Sequence, residues 1–143
     1  MLCCIHFCLL MFRVFWEGDQ LVSWDADDGL KSAILGALSS GMTGHSITHT
    51  DIGGYNVVEP SDAPYSYLRT EELLSRWTEF AAFSAGLFRT HIGSSRSKLN
   101  FNVYESKSSM AHFAVFSQIY AHLKSYRSML MEEAVNSGTP MIR

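Results

Sequence analysis

Short strand-like runs alternate along this chain with helix-like runs, and that alternation limits the folds open to it more than any other feature. Residues 11–16, apolar and aromatic, read as a buried strand. The polar turn Trp24-Asp25-Ala26-Asp27-Asp28-Gly29 follows, and its acids suit a helix N-terminus by capping and by complementing the helix dipole. Leu30, Ala33, Ile34, Ala37 and Leu38 then recur at helical spacing, which predicts a one-sided helix ending near Gly41. Residues 44–52, bracketed by glycines and rich in Thr and Ile, read as a second strand with Asp51 near its end, broken by Gly53-Gly54-Tyr55. Past a loop holding Pro60 and Pro64, Thr70 with Glu71 and Glu72 supplies a cap and an acidic first turn. The helix it opens buries Leu73, Leu74, Trp77, Phe80 and Ala81. Residues 87–91 make a third short strand, ended by Gly93-Ser94-Ser95. A long helix runs from about Ser108, with Met110, Phe113, Ala114, Ser117, Tyr120 and Ala121 on one stripe, to Gly138 with Pro140 beyond. Strands alternating with helices in this way build a parallel sheet, so the class is α/β.

Composition excludes several functions. The 143 residues are 47% hydrophobic, enough for one compact domain or part of one. A net charge of −3 leaves no basic face for a phosphate backbone, so nucleic acid is not an expected partner. Cys3, Cys4 and Cys8 crowd the first eight residues and cannot staple the body of the fold. The start, MLCCIHFCLLMFRVFW, has the apolar character of a signal peptide but neither a basic start nor a small-residue cleavage site. It is also too short to span a bilayer, so no membrane association is expected. Residues 1–12 are read as an apolar segment of uncertain origin, and 13–143 as the folded part.

Polar residues gather where the strands end. In α/β folds the ligand sits at the carboxyl ends of the strands, so Asp19, Asp51 with Tyr55, and Arg89 with His91 would line one pocket despite their separation in sequence. Turn chemistry accounts for Asp19 and Asp51 taken singly, since both precede or follow glycines. A metal site is the other reading: His45, His49 and Asp51 share one face of a period-two strand, with His91 a fourth ligand. No cysteine lies near and no His-Glu-x-x-His helix exists, so no metal and no cofactor is expected. Trp24, Trp77 and Phe80 are expected in the core.

Three of these segments resemble one family. Phe15-Trp16-Glu17-Gly18-Asp19-Gln20 is similar to the WxGD(N/Q) motif of glycoside hydrolase family 31, His49-Thr50-Asp51-Ile52-Gly53-Gly54-Tyr55 to its (H/A)xDIxG(F/Y) motif, and Phe88-Arg89-Thr90-His91 to its FR(T/N)H motif. They stand in the family's order, and the resemblance runs from about Phe15 to Arg143. It implies a partial (β/α)8 barrel, about strands six to eight, with residues 13–143 forming the C-terminal part of the catalytic domain. It implies hydrolysis of O-glycosidic bonds with Asp19 as general acid/base, and Trp16, Gln20, Asp51, Tyr55, Arg89 and His91 binding the sugar. Apolar walls around Asp19, Trp16 among them, would raise its pKa as that role requires. Gln20 and Tyr55 look more like the sulfoquinovosidases and their bacterial α-glucosidase relatives than like enzymes carrying GDN. The expected substrate is an α-glucoside, with a sulfoquinovoside as the other choice.

The departures are as informative. A retaining mechanism needs a second carboxylate about 5 to 5.5 Å from the first, which the family draws from an upstream (W/G)xDxxE motif that no segment here matches. The length also falls below the roughly 200 to 250 residues of a whole barrel. Ile92 stands where a glutamate is common in the family. The isolated chain is therefore expected to be an inactive fragment of a retaining α-glycosidase; the alternative is a noncatalytic carbohydrate-binding barrel remnant.

Overall fold

The structure, a computed structural model, describes residues 14–61, 63–94 and 98–143. Two short strands, β1 (Phe15–Trp16) and β2 (Thr48–His49), pair in parallel with Phe15 opposite Thr48 and Trp16 opposite His49. Helix α1 (Leu30–Met42) connects them, and α2 (Glu71–Phe83) follows β2. A 3-10 turn at Val103–Glu105 leads to α3 (Lys107–His122) and α4 (Lys124–Ser137). Most of the first apolar run lies outside the described residues. The expected second strand shrinks to β2 plus a parallel bridge between Ile52 and Thr90.

Residues 87–91 do not form a strand of their own. They join the sheet through that one bridge, with the Ile52 N–H donating to the Arg89 carbonyl at 2.9 Å and the Thr90 hydroxyl to the Ile52 carbonyl at 3.0 Å. The segment enters so close to β2 that a Cβ on Gly86 would collide with the Thr48 carbonyl. The order of approach remains β1, β2, then 87–91, each parallel to the one before.

Alternation divides the array into two faces. Thr48, Thr50 and Ile52 face the helices: Ile52 is in the core, and the Thr50 hydroxyl accepts from the Trp77 indole at 2.9 Å. Trp77 is fully buried, with Val22, Leu30, Ala33, Leu73, Leu74 and Ala81 around it. Thr70 caps α2 as its sequence predicts, accepting from the Leu73 N–H at 3.2 Å, with Glu71 and Glu72 in the first turn. Phe88 packs between Phe113 and Tyr120, at ring-centroid distances of 5.0 and 5.3 Å, and so ties the third segment to α3.

Three expectations need correction. Trp24 is not in the core but 48% exposed, because Val22 and Ser23 beside it turn inward and leave it on the rim. The acids before α1 do not cap it: Asp28 accepts from the Leu21 N–H and Asp25 from the Asp27 N–H, stapling the loop, while Ser32 and Gly29 close the helix start. The long final helix breaks at Leu123. In an unbroken helix the Tyr120 carbonyl would accept from Lys124; here the Arg127 guanidinium takes that carbonyl at 2.6 Å and also lies 3.7 Å over the Tyr120 ring. Gly138, in the left-handed conformation, ends α4 as expected.

Candidate active site

On the face away from the helices, Trp16, His49, Asp51, Arg89 and His91 stand on successive parallel segments, as alternation requires. Asp51 is 2% exposed and its Oδ1 accepts from Arg89 at 2.9 and 3.2 Å. Burial alone would raise its pKa, but the facing His49 ring and the Arg89 charge outweigh that and hold the carboxyl below the usual aspartate value. His49, among the candidate metal ligands in the sequence, faces Asp51 instead. Its Nδ1 donates to the Leu87 carbonyl at 3.1 Å, which turns Nε2 toward Asp51 Oδ1 at 3.4 Å. A neutral ring serves only one of these partners; a doubly protonated ring serves both. His45 turns elsewhere, stacking on Phe15 at 4.6 Å, and among the described residues no three His, Cys, Asp or Glu side chains are grouped as metal ligands would be.

The loops at the strand ends are fastened by main-chain bonds. The Gln20 carbonyl accepts from both Tyr55 N–H and Asn56 N–H, at 2.8 and 2.9 Å, and the Asn56 side chain adds a bond, its Nδ2 donating to the Asp19 carbonyl at 2.7 Å. Ser94 N–H donates to the Tyr55 carbonyl at 2.7 Å, bringing in the loop after residue 91. Asp19, Tyr55 and His91 thus sit on one connected rim. The Tyr55 and His91 rings meet at 4.8 Å, tilted by 57°. His91 Nδ1 accepts from the Gly93 N–H at 3.1 Å, so the neutral ring carries its proton on Nε2 and presents it as a donor.

Asp19 is exposed, as is Trp16 at 52%, so this chain alone does not enclose the carboxyl in apolar walls. Gln20 is buried: its Nε2 donates to the Glu17 carbonyl at 2.9 Å, and its Oε1 has no hydrogen-bond partner among the described residues. The carboxyl that burial does perturb is Glu17. It points to the helix side, against Gly36 of α1, and lines a cavity of about 410 Å³ with Asp19 and Gln20. Desolvation raises it from 4.5 to about 7, opposed by the Thr48 hydroxyl and the His49 charge. Its position was legible: in a strand, residue 17 falls on the face opposite Trp16, where an apolar side chain would be the norm.

Arg69 was missed altogether. Nearly fully buried, it donates to the Phe101 carbonyl at 2.7 Å, to Asn102 Oδ1 at 2.8 Å and to the Gly54 carbonyl at 3.4 Å. It clamps the turn after Asp51 to the segment before α3. Burial lowers the guanidinium to about 10, against the pull of Glu105, Tyr104 and Asp51.

Successive parallel strand–helix units with polar side chains gathered at the carboxyl ends define part of an α/β-barrel enzyme. The chain belongs to glycosyl hydrolase family 31, whose TIM-barrel domain matches residues 10–131. It is 41% identical over 130 residues to the sulfoquinovosidase of Agrobacterium fabrum (strain C58) and 38% identical over 130 residues to that of Escherichia coli (strain K12). Each match covers 91% of this chain and 18% of the relative, so the chain spans less than a fifth of the length of these proteins. A solved structure of a family 31 sulfoquinovosidase from E. rectale, in complex with the aza-sugar inhibitor IFGSQ, aligns with a TM-score of 0.77 at 40% identity, over 89% of this chain and 18% of that one. A family 31 α-xylosidase from a soil metagenome, complexed with xylose, shares the fold at a TM-score of 0.64 and 19% identity, over 87% of this chain and 20% of its own.

Proposed function

We propose that this chain is the C-terminal part of a retaining α-glycosidase barrel, about strands six to eight, in which Asp19 is the general acid/base. The observation that carries this is the pair of bonds to the Gln20 carbonyl, which fixes Asp19 beside Tyr55 while Tyr55 packs on His91. Asp19 donates a proton to the departing glycosidic oxygen, then takes one from the water that releases the sugar. Asp51, kept ionised by Arg89 and His49, accepts from sugar hydroxyls through its remaining lone pairs, and His91 donates through Nε2. Trp16, Tyr55 and Arg89 complete the sugar-facing surface, while Gln20, buried, supports it through its main-chain carbonyl. The nucleophile comes from outside this chain.

The substrate we infer is an α-sulfoquinovoside rather than a plain α-glucoside. The relatives at about 40% identity bear the name sulfoquinovosidase, and Tyr55 with the half-exposed Arg89 offers a hydroxyl and a cation to an anionic sugar. The test is a barrel completed upstream of residue 13, assayed on 4-nitrophenyl α-sulfoquinovoside and on the α-glucoside, with the anomer of the first product read by proton NMR. Preference for the sulfonated substrate with retained configuration is expected. Inversion, or turnover untouched by Asp19→Ala, would overturn the assignment.

A further inference from the structure

A second cleft, of about 530 Å³, lies between residues 22–25 and residues 66–70 and shares no residue with the group around Asp19, Asp51 and His91. Both of its walls belong to this chain, one from the loop before α1 and the other from the loop before α2. Trp24, half exposed, lies on one side, and Tyr67, its ring edge-on to Tyr65 at 5.7 Å, on the other. The polar atoms around these rings have hydrogen-bonding capacity to spare. Thr70 uses its oxygen as an acceptor for the Leu73 N–H, so its own O–H remains to donate. Among the described residues Asp25 accepts only from Asp27, through Oδ1, leaving Oδ2. Ser66 makes no hydrogen bond among the described residues. Ser23, by contrast, has its one O–H engaged, donating to the Asp28 carbonyl, and also accepts from the Asp25 N–H. An indole face beside spare donors and acceptors matches a pyranose ring, apolar across its C–H face and polar at its hydroxyls. Among the described residues, the only charge in the lining is the negative Asp25.

We propose that this cleft is a second carbohydrate site that takes a neutral pyranoside, its ring stacked on Trp24 and its hydroxyls bonded to Asp25, Ser66 and Thr70. The Asp25 carboxylate repels a sulfonated or phosphorylated sugar, so its selectivity is opposite to that inferred for the Asp19 end. The test is saturation-transfer NMR on the full chain, using methyl α-glucoside and methyl α-sulfoquinovoside as probes. Methyl α-glucoside should receive saturation in the wild type and in His91→Ala. Its apparent affinity should fall roughly tenfold in Trp24→Ala, the scale of one lost stacking contact, and recover in part in Trp24→Phe. Trp24 is a rim residue, so circular dichroism of Trp24→Ala should match wild type. Binding unchanged in Trp24→Ala, no binding to the wild type, or equal Trp24-dependent binding of the sulfonated probe would each overturn the proposal. Loss of binding in His91→Ala with Trp24→Ala unaffected would place the sugar at the Asp19 end instead. Failure of the Asp19 assignment alone leaves these arms unchanged.

Discussion

Glu17 and Asp51 stand on opposite faces of one small parallel sheet, and their surroundings move them in opposite directions. For Glu17, raised by burial from 4.5 to about 7, the folded chain holds a proton that the unfolded chain gives up. Its contribution to stability is therefore complete below pH 4.5, declines as pH rises, and is lost above about 7. Glu17→Gln mimics the protonated form and should add on the order of 1 kcal/mol at pH 8, after allowance for its solvated part, and nothing at pH 4. Urea unfolding at the two pH values measures this; equal gains at both would mean that burial of the charge is not the cause. Asp51 runs the other way, stabilising above the ordinary aspartate pKa and losing that stabilisation as pH falls through its lowered value. In a completed barrel, Asp19→Ala should abolish hydrolysis of substrates with poor leaving groups, and azide should restore part of the deglycosylation step, because it needs no general base. No rescue in a folded variant would count against the acid/base role. At this scale the sequence was legible in placement: alternation puts Asp51 and Arg89 on one face, and the structure pairs them. It was opaque where a partner came from far along the chain, as with His49 and the Leu87 carbonyl.

Between elements, most of the precision rests on Arg69 and Gly53. Gly53 has φ of 90°, a conformation costly for any other residue, and it lies against the Arg69 and Leu74 side chains. Gly53→Ala should destabilise by about 2 kcal/mol or more, from strain and crowding together. Arg69→Ala should cost on the order of 3 kcal/mol, since it strips partners from the Phe101 and Gly54 carbonyls, and Arg69→Lys should recover little because an ammonium lacks the guanidinium fork. Chemical denaturation of the three variants checks both, and full recovery by lysine would reduce the clamp to a point charge. Helix α2 was readable because cap, acidic first turn and apolar stripe all agree within thirteen residues. The break at Leu123 was not, since what stabilises it is a side chain, Arg127, reaching back to a carbonyl that periodicity treats as helical. The third strand differs for a related reason: its aromatic residue, Phe88, faces α3, while its backbone meets the sheet at one bridge.

Taken whole, the molecule is an open array. Trp16 has its N–H and C=O on the edge of β1 away from β2, with no partner among the described residues, and Val14, Phe15 and Trp16 beside it are all exposed. Such an edge invites pairing. The isolated chain should associate with rising concentration in sedimentation velocity, and a single monomeric species throughout would contradict the open edge. It should also fail to hydrolyse 4-nitrophenyl α-sulfoquinovoside or the α-glucoside; turnover that disappears in Asp19→Asn would show that no outside nucleophile is needed. The fold class could be read from alternation alone, whereas completeness of the barrel is a property of how many units are present, which local patterning does not encode. The bonds at Gln20 have a further consequence for protein engineering. Because the rim is joined through main-chain atoms, residues 19–21 and 54–56 form a transplantable cassette. The Tyr55 side chain can be exchanged while the spacing between the two loops stays as the backbone sets it.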